Sequence, residues 1–186
     1  MKLLFVSDIH GSLYYAKKCI ERFNQEGADQ IISLGDLMYH GPRNPLPKDY
    51  APKEVANLLN QYKDKIISVR GNCDSEVDQM LLEFPILSDY SILYIDGYRF
   101  FITHGHHYDE DHLPPLSKND VLIYGHYHVP IAKKKEDIYI FNPSSISLPK
   151  ASVNSYGVYE NKTFYIKDLD GNVLETLELE KFSTLY

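Results

Sequence analysis

Asp8-Ile9-His10, Gly35-Asp36, Gly71-Asn72, Thr103-His104-Gly105-His106 and Gly125-His126-Tyr127-His128 each follow directly on a run of apolar residues. Carboxylate, imidazole and carboxamide side chains suit borderline-to-hard divalent cations, and these segments lack the paired thiolates of a structural zinc site. Together they hold enough oxygen and nitrogen donors for two metal ions, so the chemistry they point to is that of a catalytic metal pair. Two ions about 3.5–4 Å apart can hold a hydroxide, lower its pKa toward about 7 and clamp both oxygens of an in-line displacement at phosphorus. Such a pair needs a shared ligand. Asp36 is the natural bridging carboxylate, with Gly35 leaving room for close approach. Asp8 and His10 are two residues apart, as are His126 and His128, so in extended backbone each pair projects to one side and reaches one site.

Taken singly the segments say little, because Gly-Asp and Gly-Asn are common turn dipeptides and an isolated D-x-H is usually a polar strand end. Their weight lies in the order and in the strand-like run before each one, and GHxH is the sharpest of the set. Those runs, Leu3 to Val6, Ile31 to Leu34, Ile66 to Val69, Phe100 to Thr103 and Val121 to Tyr124, read as buried strands. Between the first two, Leu13, Ala16, Ile20 and Phe23 recur at helical spacing, with Ser12 as N-cap and Gly27 as stop, which makes a β-α-β unit. A second helix is expected from Pro52, burying Val55, Leu58, Leu59 and Tyr62, and a third from the Ser75 cap, with Asp78 three residues on, to the break at Pro85. From about Ser91 the turns Asp96-Gly97, Glu136-Asp137 and Asp170-Gly171 separate β-prone runs, so the second half is expected to be mostly antiparallel. The segment from Tyr39 to Pro52 carries Pro42, Pro45, Pro47 and Pro52 and reads as an ordered loop overhanging the site.

At 186 residues the chain fits a single domain, residues 1–186, with a core large enough to need no staples. A formal charge of −7 argues against extended nucleic-acid binding, so phosphate recognition has to be local. Lys133-Lys134-Lys135, beside Glu136-Asp137, reads as a solvated hairpin whose edge is protected by charge. Tyrosines such as Tyr94, Tyr98, Tyr139, Tyr159 and Tyr165 fall at strand positions and read as packing, not base stacking. Cys19 and Cys73 stand apart in no CxxC pattern, which excludes a disulfide framework and makes the cytoplasm the default compartment. Leu3-Leu4-Phe5-Val6 is too short for a signal-peptide core, and no later stretch approaches a membrane span.

The ordered set D-x-H, GD, GN, H and GHxH resembles the calcineurin-like metallophosphoesterase superfamily. The resemblance implies an α/β fold, a four-layer α/β/β/α sandwich of two mixed β-sheets flanked by helices. It also implies one ion on Asp8, His10, Asp36 and His128 and another on Asp36, Asn72, His104 and His126. Through His40-Gly41-Pro42-Arg43-Asn44, Arg70-Gly71-Asn72-Cys73-Asp74-Ser75 and Phe141-Asn142-Pro143 the chain looks most like the YfcE-type bacterial phosphodiesterases, over most of its length up to about Lys150. The implied activity is hydrolysis of a phosphodiester by in-line attack of a metal-bridging hydroxide. Manganese is the ion expected from the mixed carboxylate and imidazole shell, with zinc, nickel or iron as alternatives.

Two positions depart from the superfamily. Cys73 stands where many members have the His that steadies the leaving group, as it does in the YfcE-type proteins, and Ser144 stands where relatives usually have Gly after Asn-Pro. With Cys73 a poor proton donor, His106 is a candidate donor to the leaving oxygen, Asn72 a stabiliser of phosphate charge, and Asp74 an orienting group beside the ligands. His40 and Arg43 are candidate substrate-binding residues, whereas His107 and His112 read as solvated. Two other readings stay open: a non-catalytic protein-binding scaffold resembling the retromer subunit, and a phosphomonoesterase. The natural substrate, beyond a small phosphodiester, and the oligomeric state are not legible; the β-rich segment after Lys150 is free to form a subunit contact in a homo-oligomer.

Overall fold

Four consecutive apolar residues can be hidden only between two layers, and Leu3–Val6 forms β1 with all four buried. Leu3 and Phe5 point into the core shared by two sheets, while Leu4 and Val6 point toward the helices. The computed structural model describes residues 1–150 and 153–180. In the first sheet β1 pairs in parallel with β2 (Gln30–Ser33), which pairs in parallel with β3 (Ile66–Ser68). The other side of β1 is taken by the antiparallel strands β9 (Ser155–Glu160), β10 (Thr163–Asp168) and β11 (Val173–Glu178), giving the order β11-β10-β9-β1-β2-β3. The second sheet has the order β4-β5-β6-β8-β7, from β4 (Tyr90–Ile95), β5 (Tyr98–Thr103), β6 (Val121–Ile123), β7 (Pro130–Lys135) and β8 (Ile138–Pro143). Phe5, Ile32 and Phe164 of one sheet interdigitate with Phe100, Ile123 and Phe141 of the other.

Two helices flank the first sheet. α1 (Leu13–Glu26) buries Ala16, Cys19, Ile20 and Phe23; the Ser12 hydroxyl accepts from the Tyr15 N–H, and Gly27 ends the helix in the left-handed region. α2 (Pro52–Asn60) has Pro52 in its first turn and buries Val55, Ala56 and Leu59. On the outer face of the second sheet Phe101, Leu122 and Ile140 are covered by Tyr108 and Leu116 from the segment after β5. No helix among the described residues is long and apolar enough to cross a membrane.

Two expectations are corrected. α2 stops before Tyr62, which flanks a short 3-10 turn over Lys63–Lys65 and packs edge-on against Phe23 instead. α3 (Glu76–Gln79) keeps the anticipated Ser75/Asp78 capping box but lasts one turn and does not reach Pro85. The cause lies in Leu82, Phe84 and Ile86, all buried and spaced two apart, which extended chain satisfies and a helix does not. Gln79 secures that exit by donating to the Leu82 and Phe84 carbonyls and accepting from the Ile86 N–H. The second half is mostly antiparallel, as expected, with one exception at the centre of its sheet: β5, β6 and β8 run parallel, and the antiparallel strands β4 and β7 lie at the edges. β6 is buried on both faces, the usual setting of a parallel strand.

Candidate metal centre

Every ligand segment leaves the carboxyl end of a strand: Asp8 and His10 after β1, Asp36 after β2, Asn72 after β3, His104 after β5, and His126 and His128 after β6. The two sheets thus deliver their loops to one place. Asp8, His10, Asp36, His126 and His128 all adopt left-handed backbone, with φ of 56°, 52°, 56°, 64° and 59°. The expectation that strand alternation aims each D-x-H and H-x-H pair is therefore corrected. These pairs turn out of the sheet through conformations that L-residues rarely adopt, each a cost of roughly 1–3 kcal/mol that surrounding structure must offset. Backbone bonds do so: Asp8 N–H to the Gly35 carbonyl (3.1 Å), His10 N–H to that of Asp36 (2.9 Å), and Lys150 N–H to that of His128 (3.0 Å).

Glycines let the loops touch. A Cβ on Gly71 would lie 2.1 Å from Asp36 Oδ1, and one on Gly125 would lie 1.8 Å from Ser7 Oγ and 3.0 Å from Asp8 Oδ2. Asp36 and Asp8 reach the centre because those side chains are missing.

Asp36 stands between two groups of donors. Its Oδ2 lies 3.7 Å from His10 Nε2 and 3.4 Å from His104 Nε2. On the first side Asp8 Oδ1 is 3.4 Å from His10 Nε2 and 3.1 Å from His128 Nε2. On the second, His104 Nε2 is 3.0 Å from Asn72 Oδ1 and 3.2 Å from His126 Nδ1. The donor atoms of Asp8, His10 and His128, like those of Asp8, Asp36 and His104, lie within 4.8 Å of one another.

The imidazoles are oriented for a cation. His10, His104 and His128 donate from Nδ1 to the carbonyls of Tyr39 (2.7 Å), Leu34 (2.6 Å) and Leu148 (2.6 Å), which turns Nε2 of each ring inward. His126 is the exception and presents Nδ1. With Nε2 deprotonated, this oxygen and nitrogen donor set fits two divalent ions.

The electrostatics agree. Burial raises the Asp8 pKa, yet contacts with His10 and His128 hold it well below the usual carboxylate range. Burial opposes charge on His104 as well, but Asp36 and Asp8 outweigh it and raise the group to about 9. Asp36 and Asp8 thus hold a proton on His104, one that a divalent cation would have to displace.

Asp74 is placed as a support. It is buried; its Oδ2 accepts from the N–H groups of Asp36 (2.8 Å) and Gly71 (2.8 Å) and its Oδ1 from that of Leu37 (2.9 Å), tying the loops after β2 and β3 together. Burial and the Asp36 charge raise its pKa to about 6. The Cys73 N–H donates to Asp36 Oδ1 (2.8 Å), and burial with the Asp36 charge drives the thiol pKa far up, so Cys73 stays protonated. His106 is half-buried, its ring 5.4 Å from that of His104, with a buried Nδ1 that has no partner among the described residues. Arg43 lines the cleft of about 430 Å³ that contains Asp36, Asn72, His126 and His128; His40 does not, its ring packing against Tyr39 and Tyr50. His107 and His112 are exposed, as expected.

Several contributors carry no motif and escaped the sequence reading. Ser145 and Ser147 both donate to the Asp8 carbonyl, Ser7 donates to Asp8 Oδ2, and Tyr127 and Lys150 line the cleft. Ser144 takes a φ of 67°, left-handed backbone that favours glycine, and its buried hydroxyl has no partner among the described residues.

Residues 1–163 match the calcineurin-like phosphoesterase superfamily domain. The chain is 51% identical to phosphodiesterase YfcE of Escherichia coli over 162 residues, covering 87% of this chain and 88% of that protein. It is 30% identical to phosphodiesterase MJ0936 of Methanocaldococcus jannaschii over 171 residues, 87% of this chain and 94% of the relative. The solved structure of the E. coli YfcE phosphoesterase superimposes with a TM-score of 0.95 at 46% identity, over 97% of this chain and all (100%) of that one. Vps29 of Entamoeba histolytica shares the fold at a TM-score of 0.65 and 20% identity. With that span of matched sequence, the chain belongs to the calcineurin-like phosphoesterase superfamily.

Proposed function

We propose that this protein is a metal-dependent phosphodiesterase with a dinuclear centre, held by Asp8, His10, Asp36 and His128 on one side and by Asp36, Asn72, His104 and His126 on the other. The observation that carries the reading is Asp36 Oδ2 lying within 4 Å of imidazole nitrogens from both sheets, 3.7 Å from His10 and 3.4 Å from His104, while Oδ1 is occupied by the Cys73 N–H. Two divalent ions bound there would activate a water for in-line attack at phosphorus and neutralise charge on its oxygens. The chain's own residues supply the rest. Asn72 is exposed at the cleft, so its amide faces the phosphate as well as His104. His106 is held near neutral by burial and by His104, its pKa down at about 4, so at pH 7 it serves the leaving oxygen as an N–H hydrogen-bond donor. Arg43 reaches the substrate from the Pro-rich loop, and His40 shapes that loop, its carbonyl accepting from Asn44 (2.8 Å). Manganese is the working ion we infer from the donor set, and the thiols of Cys19 and Cys73, both free, suit the reducing cytoplasm.

The relatives named phosphodiesterases favour a diester over a monoester, and the filled set of candidate ligand positions favours an enzyme over a non-catalytic scaffold. A chromogenic diester and the corresponding monoester, assayed with manganese and after chelation, test this. Turnover should require metal and favour the diester by at least about tenfold, and Asp36→Asn should fall below roughly a tenth of the wild-type rate and bind both ions weakly. A metal-independent rate, or Asp36→Asn retaining full turnover, defeats the dinuclear assignment; absence of turnover with manganese, zinc, nickel and iron alike favours the scaffold.

A further inference from the structure

Arg43 and Lys150 line the same cleft as the metal-centre residues Asp36, Asn72, His126 and His128. They arrive from different directions, Arg43 on the Pro-rich loop after β2 and Lys150 beyond β8. Lys150 is seated against a ligand. Its N–H donates to the His128 carbonyl, and two residues earlier the Leu148 carbonyl accepts from His128 Nδ1 (2.6 Å), so the segment clasps His128 from both sides and brings the lysine to the cleft.

Neither cation has a carboxylate or any hydrogen-bond partner among the described residues. Many of the other cations find carboxylates (Lys133 and Lys135 pair with Glu110, Lys134 with Glu180, Lys63 with Glu83, and Arg99 with Asp120), whereas Lys17, Lys53 and Lys65, unpaired among the described residues, lie on exposed helical or turn positions away from this cleft. In a chain of formal charge −7, two unpaired cations bordering one concave site mark a place for an anion. The scissile group of a diester carries one negative charge, and it belongs at the metal ligands on the cleft floor. Arg43, with a planar fork of donors, and Lys150, a point charge on a flexible stem, suit a phosphate beyond it.

We infer that the preferred substrate is a phosphodiester whose flanking group bears a second phosphate, which Arg43 and Lys150 hold. This rests on the phosphodiesterase reading and narrows it to a substrate class.

The test uses the manganese-loaded protein and two p-nitrophenyl phosphodiesters of thymidine, one with a free 3′-hydroxyl and one with a 3′-phosphate. Calorimetric binding of thymidine 3′,5′-bisphosphate and thymidine 5′-monophosphate supplies a readout that needs no turnover. The wild type should show kcat/KM at least about tenfold higher for the 3′-phosphorylated diester, as one charge-assisted contact implies, with the gap narrowing as salt is added. Arg43→Ala and Lys150→Ala should each cut that ratio by about threefold or more and weaken the bisphosphate more than the monophosphate. Lys17→Ala, an exposed residue on α1, should leave both ratios unchanged. A wild-type ratio near one overturns the inference. So does a parallel fall on both diesters in the variants, which would assign the two cations to the scissile phosphate alone. If neither diester turns over, the phosphodiesterase reading has failed, and the binding arm still decides: a bisphosphate preference lost in both variants upholds the two-cation site, and equal binding of the two nucleotides removes it.

Discussion

Asp74 gathers the N–H groups of Asp36, Leu37 and Gly71 on its carboxylate, and so sets where Asp36 stands. Removing it strands three buried donors at once. Asp74→Ala should cost at least about 2 kcal/mol, a fall in Tm of roughly 4–8 °C for a chain of this size, and should weaken metal binding by about 10–100-fold. Isothermal titration with manganese and thermal unfolding check both. An unchanged metal affinity would show that Asp36 holds its place without this support. At this scale the types and positions of the metal-centre residues were legible, since carboxylate and imidazole at strand ends state their chemistry. Their partners were not: the carbonyls that orient His10, His104 and His128 come from Tyr39, Leu34 and Leu148, whose side chains announce nothing about their backbone.

The strands and their exit loops explain how seven side chains on five segments converge. The exits from β1, β2, β5 and β6 pass through left-handed backbone, and the loops interlock because glycine occupies the points of closest approach. Gly125, after β6, shows the tolerance: the smallest side chain would collide with Ser7 and press on Asp8. Gly125→Ala should therefore destabilise by about 1–3 kcal/mol and move Asp8 away from His128. Metal affinity should fall with it, whereas Gly27→Ala, at an open helix end, should lower Tm while leaving metal affinity intact. Equal effects of both on metal affinity would mean that Gly125 acts only through global stability. The apolar runs, the Ser12 and Gly27 caps and the three hairpin turns could be read ahead because they depend on local propensity and periodicity. The length of α3 could not. Whether Leu82 continues a helix or turns inward depends on the core waiting for it, and that core comes from distant strands.

Across the molecule, charge ties layers together. Glu26, the last residue of α1, receives Lys167 from β10 (2.8 Å), Tyr156 from β9 (2.7 Å) and Lys2 ahead of β1 (3.1 Å), joining the helix end to the first sheet. Burial alone would raise its pKa, but Lys167, Tyr156 and Lys2 lower it to about 2. A depressed folded-state pKa contributes stability that is complete above the unfolded value near 4.3 and is lost as pH falls toward about 2. Glu26→Gln should thus be less stable than wild type in urea at pH 7, with the difference shrinking below pH ~4.3. A difference constant from pH 7 to 3 would assign the effect to packing, not charge.

The residue types, their order and the strand before each of them already pointed to a metallophosphoesterase, because side-chain chemistry and burial patterns are local properties of the chain. Which oxygen of Asp36 faces both groups of donors, how Ser145, Ser147 and Asp74 hold the loops, and which two cations border the cleft emerged only when two sheets packed together. Those features are distances between segments far apart in sequence, set by a core that no single segment contains.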